Sequence, residues 1–117
     1  MIIIAYILTA LVALEHFYIL YLEMFAIESR TAKRVFALSN DFLRQDKVKV
    51  MFANQGLYNG FLGAGIVFGF CIGQLSVIYF FLICVLTAAI YGSITANKSI
   101  LFKQGLPAVL ALLCYFI

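Results

Sequence analysis

Tryptophan is absent from this 117-residue chain, proline and histidine occur once each, and charged residues make up only 11%. Hydrophobic residues make up 66%, and the mean hydropathy is +1.10. A soluble domain is about half apolar and about a quarter charged, so too little polar surface exists here to cover a globule in water. The composition implies an integral membrane protein of a single domain. The three cysteines, Cys71, Cys84 and Cys114, stand singly inside apolar runs with no CxxC pair. That excludes a disulfide framework or a metal knuckle and leaves them as small packing residues. Nucleophilic triads, glycine-rich phosphate loops and nucleotide motifs are also missing, so no cofactor is expected.

What the chain does have is four apolar runs, at about residues 2–25, 50–72, 75–95 and 104–117. A bilayer needs about 20 helical residues. The first three suffice, whereas the fourth reaches only roughly 20 Å and must start early, tilt little or thin the bilayer. Pro107 suits the first turn of that fourth helix. No basic segment precedes MIIIAYILTA, and the run passes into Glu15 and His16 without a small-residue cleavage site. The first span is therefore expected to begin at Met1 rather than to be a cleaved leader.

The eight basic residues, against five acidic ones, give a net charge of +3. Arg30, Lys33, Arg34, Arg44, Lys47 and Lys49 lie between runs one and two, Lys98 and Lys103 between three and four, and the turn at Gly73-Gln74 has none. All therefore fall on one side, which the positive-inside rule makes cytoplasmic. The expected protein sits multi-pass in the bacterial cytoplasmic (inner) membrane with both termini outside; lipid, not nucleic acid, is its partner. Within the 28–49 connection, Val35, Phe36, Leu38, Phe42 and Leu43 recur at helical spacing among cations. This predicts a short amphipathic helix in the headgroup plane, with Ser39 or Asn40 capping a helix that runs on into run two. The fold class is thus all-α: a four-transmembrane-helix bundle with one interfacial helix.

On this topology the polar residues gather in the cytoplasmic half. Glu23 lies near the inner boundary, with His16 and Glu15 about 10–12 Å deeper along the same helix. Asn54, Gln55, Tyr58 and Asn59 enter at the start of run two, Thr87, Tyr91 and Thr95 lie at the end of run three, and Gln104 opens run four. The outer half is aliphatic, aromatic and glycine. The expectation is a polar cavity open to the cytoplasm behind an apolar plug, lined by Glu23, Asn54, Gln55, Tyr58, Asn59, Thr87, Tyr91 and Gln104. Ionisable groups deep in a bilayer are costly and usually functional, so Glu15 and His16 are candidates for proton transfer; the competing reading is a buried network that fixes helix register. Glu23 also has a structural reading, reaching headgroups or Arg30 and Lys33. One helix cannot bring Glu15, His16 and Glu23 to one ion, and no second histidine exists, so no metal site is expected. Gly56-xxx-Gly60, Gly65-xxx-Gly69-xxx-Gly73 and Ala88-xxx-Gly92-xxx-Ala96 are ridges that let helices approach closely, either within the bundle or along a homodimer seam.

HFYILYLEMF (16–25), NQGLYNGFLGAG (54–65), IYGSIT (90–95) and QGLPAVLAL (104–112) together resemble the small bacterial membrane proteins grouped as domain of unknown function 1304. The resemblance covers nearly the whole chain and implies a four-helix membrane protein without an assigned activity. That family often has a Trp shortly after the LEMF string, where this chain has Ala26-Ile27. Three functions fit the residues. One is a bundle whose cavity binds a small or lipophilic ligand, with Glu15 and His16 handling a proton. Another is a small proton-coupled transporter acting as a homo-oligomer, and the third is a structural or accessory subunit.

Overall fold

A computed structural model describes residues 1–117. The chain is all-helical, with no strand. Its elements are α1 (Ile2–Phe25), α2 (Arg30–Phe36), α3 (Asn40–Leu43), α4 (Asp46–Ile72), α5 (Leu75–Thr95), one π-helical turn (Leu101–Gly105) and α6 (Leu106–Phe116). Helices α1, α4 and α5 are long and apolar enough to cross a membrane. No proline interrupts them, so their backbone groups bond internally, as hydrocarbon surroundings demand. The last apolar helix starts early, through the π-helical turn, and runs Leu101–Phe116. At 1.5 Å per residue it reaches about 24 Å, short of the roughly 30 Å of a hydrocarbon core.

The chain divides into two packed units, residues 1–15 with 62–117, and residues 16–61. The first has a core of Val12, Ala13, Ile66, Ile78, Leu82, Val85, Ala108 and Ala111. The hairpin from α4 to α5 turns at Gly73, whose φ of 66° lies where a Cβ is disfavoured. Gln74 N–H bonds Gly69 O and Gly73 N–H bonds Phe70 O, the paired bonds of a Schellman end. Close approach then fixes the pair: a Cβ on Gly65 would sit 2.3 Å from the Phe81 ring, and one on Gly69 2.7 Å from Ile78. Near the N-terminus, buried Thr9 donates to Ala5 O and shares a 2.9 Å bond with the Tyr115 hydroxyl, around which Tyr6 and Tyr79 pack edge-on.

The second unit has its own core of Leu22, Ile27, Ala32, Leu43 and Val48, with Val35, Phe36, Leu38 and Phe52 packed against it. Ser29 caps α2 through Ala32 N–H at 3.1 Å, and Ser39 caps α3 through Phe42 N–H at 3.2 Å. Helix α3 does not run on into α4 as the spacing predicted, because the helical path ends after Leu43 and restarts at Asp46. Most of the apolar residues of the 28–49 connection thus face the chain's own core, while Phe42 stays exposed.

Candidate functional site

In the second unit one polar side chain, Asn59, meets the buried carboxyl of Glu23. Glu23 stands in the last turns of α1 on the same stripe as His16, seven residues earlier, and each is only 1% exposed. On α4, Asn59 uses its amide twice: Nδ2 donates to Gln55 O at 3.2 Å and to Glu23 Oε1 at 2.7 Å. The bond to its own helix fixes the amide and aims the second N–H at the carboxyl. The second oxygen, Glu23 Oε2, is buried and has no hydrogen-bond partner. A buried carboxyl oxygen left this way costs about 1–3 kcal/mol or more, so Glu23 is an expensive residue for the packing to hold.

Glycine explains why α4 can bring Asn59 there. A Cβ on Gly56 would meet Met24 Cγ at 2.8 Å, Glu23 Cβ at 3.0 Å and the Leu20 carbonyl at 3.3 Å, and one on Gly60 would meet Leu20 Cδ1 at 2.2 Å. Gly56, Asn59 and Gly60 occupy one face of α4, so the same face supplies both the closeness and the donor. Gly65 and Gly69 serve the first unit in the same way, and Gly92 makes only ordinary contact with Ile100. All five glycines face side chains of their own chain.

Glu23 also lines a cleft of about 620 Å³ between the end of α1, the following turn and the start of α4, within the size range of small-molecule sites. Phe25, Ile27, Val50 and Ala53 form apolar wall, and Glu28 and Lys49 stand at its edge as an ion pair. The hydrogen bond from Lys49, reinforced by its charge, holds the Glu28 carboxyl below the usual carboxylate range. Neither Glu28 nor Lys49 was singled out by sequence reasoning; an acid just past the first run and a cation just before the second were the available signal. A second groove, about 570 Å³, lies among Gly65, Phe68, Phe80 and Phe81 and is apolar apart from Ser76.

The other sequence-derived candidates are placed differently. Asn54 and Gln55 are exposed, the former donating to Val50 O at 3.0 Å. Tyr58 is 62% exposed and Tyr91 70% exposed. Thr87 is exposed and bonds its own helix at Ile83 O, 2.8 Å away, and Gln104 is half-buried in the π-helical turn. Glu15 is half-buried, and its Oε1 is buried without a partner. Of the predicted set, then, the second unit joins Glu23 directly to Asn59 and leaves Asn54, Gln55 and Tyr58 on its outside.

Comparison with known proteins follows the whole chain. Residues 10–116 match the family model described as "Protein of unknown function (DUF1304)". The chain is 45% identical over 118 residues to the uncharacterized protein YpaA of Lactococcus lactis, covering 99% of each. It is 78% identical over 32 residues to an uncharacterized protein of Haemophilus influenzae, which spans 27% of this chain and 40% of that one. No solved structure matches.

Proposed function

The chain belongs to the DUF1304 family, and from that premise we propose that it is a four-span inner-membrane protein that binds a small or lipophilic ligand in the Glu23 cleft. Both termini lie outside, the eight basic residues lie on the cytoplasmic side, and the α2–α3 segment rests at the headgroup surface. The cleft then opens at the cytoplasmic boundary. One observation carries the reading: Glu23, which lines a ligand-sized cleft, is held on one oxygen by Asn59, while its other oxygen is buried without a hydrogen-bond partner. An ionisable group so placed is expensive unless it serves something, and structural register alone needs only the Asn59 bond. His16 and Glu15, further along α1, are the groups for any proton transfer coupled to binding.

The test is native mass spectrometry of the full chain purified in mild detergent. The wild type is expected to carry a bound mass that Glu23→Gln loses while keeping its helix content. Equal occupancy in the two proteins would contradict the reading. A proton-coupled transporter is the second reading, favoured by one further observation: Glu15 Oε1 is also buried without a partner. Ligand-dependent proton movement in proteoliposomes, lost in Glu15→Gln, would select it; binding without proton movement would remove it.

A further inference from the structure

We infer that the Glu23 cleft takes a primary ammonium group carried on an apolar or lipid body. This rests on the binding reading and names what that site holds. Oε1 of Glu23 already accepts from Asn59, so the open capacity of the carboxyl is Oε2, buried and without a donor. A ligand N–H or O–H would supply the missing bond once the cleft wall gives way to expose that oxygen. A charged N–H donor bonds a carboxylate about twice as strongly as a neutral one. An anionic ligand would instead meet Glu23 without a free cation in the cleft, since Lys49 is paired with Glu28.

The chain makes the same pairing itself at the cleft edge, where the Lys49 ammonium bonds Glu28. That pair uses up the cleft's own cation and leaves Glu23 as the carboxyl still lacking one. The remaining walls, Met24, Phe25, Ile27, Val50 and Ala53, suit a hydrocarbon body rather than a polar one. Ser29 at the edge already donates to Ala26 O and caps α2, so it adds no strong donor of its own.

The chemistry also sets a discrimination. A quaternary ammonium carries the charge but no N–H, so it leaves Oε2 unsatisfied and is too bulky to approach it closely. A site built to meet a donor rejects the analogue that lacks it far more strongly than an apolar pocket rejects a methyl group. An ethanolamine-type ammonium is therefore accepted and a choline-type one refused. The ammonium has two sources at this depth, the phosphoethanolamine headgroup of an inner-leaflet lipid and a free amphiphilic amine.

The experiment titrates delipidated full-length protein in detergent and reads bound mass by native mass spectrometry. The probes are phosphatidylethanolamine, phosphatidylcholine of identical acyl chains, dodecylamine and dodecyltrimethylammonium. At least one primary ammonium is expected to bind about tenfold or more tightly than its trimethylated partner, and Glu23→Gln to abolish the preference. A preference confined to the lipid pair assigns the headgroup as ligand, and one confined to the detergent-like pair assigns a free amine. Equal binding within both pairs, or a preference that survives Glu23→Gln, overturns the inference. Should Glu23→Gln lose its helical circular dichroism, Ala53→Phe is read in its place: it fills the cleft wall and leaves the Glu23–Asn59 bond, and a preference kept there overturns the inference. A bound molecule of other chemistry that depends on Glu23 would sink the ammonium assignment and leave the binding site standing.

Discussion

At the scale of the residue, the site turns on one bond, from Asn59 Nδ2 to Glu23 Oε1. Replacing Asn59 by Ala strips the carboxyl of its partner and leaves both oxygens buried and unbonded, since Oε2 has no partner to begin with. The expected loss is about 1–3 kcal/mol of stability, and removing the carboxyl as well, with Glu23→Met, should restore most of it because both polar partners are then gone. Thermal unfolding in detergent, followed by circular dichroism across the four members of this cycle, measures the coupling. Additive losses would show that the bond contributes nothing. The sequence puts Glu23 and Asn59 in the lining of one cavity, with headgroups or Arg30 and Lys33 as the structural alternative for Glu23, but does not pair the two directly. Nothing local encodes a partner 36 residues away. Tyr58 and Asn59 are both expected in the cavity lining, yet neighbours on a helix point about 100° apart, and here Asn59 turns in while Tyr58 turns out. Thr87 and Thr95 satisfy themselves on their own backbone, at Ile83 O and Tyr91 O, a local option that a depth argument does not see.

At the scale of the element, glycine sets how near α4 comes to its neighbours, and the clearances rank the positions. Gly65 faces the rigid Phe81 ring at 2.3 Å, and Gly56 faces Met24 together with the Glu23 Cβ and the Leu20 carbonyl. Alanine at either should cost about 1–3 kcal/mol by overpacking. Gly60 meets mainly the end of the Leu20 side chain, which can swing away, so alanine there should cost less. Gly92 meets Ile100 at 3.4 Å, ordinary contact, and alanine there should be neutral or stabilising by up to about 1 kcal/mol through helix propensity. The same unfolding assay ranks the four; a destabilised Gly92→Ala beside a neutral Gly65→Ala would contradict the packing described. The long helices were legible because an apolar run without proline has one way to bond its backbone in lipid. The break between α3 and α4 was not, because Arg44 and Gln45 carry no glycine or proline to announce it.

At the scale of the whole molecule, composition argues for the membrane, in keeping with three helices long and apolar enough to cross it, and charge asymmetry supplies the proposed orientation. Less readable was the last helix, whose length depends on a π-helical turn, Leu101–Gly105, that recruits residues ahead of Pro107. The cleft was equally hidden, since its members come from an inter-run turn and from two helix ends. The central claim joins orientation to site: the Glu23 cleft opens on the cytoplasmic side of the membrane. It is tested most directly by Ala53→Cys in a background with Cys71, Cys84 and Cys114 replaced by Ser, treated with a membrane-impermeant maleimide. Labelling is predicted in inside-out vesicles and not in intact cells. Labelling from outside, or none from either face while Gln45→Cys reacts in the vesicles, would contradict it.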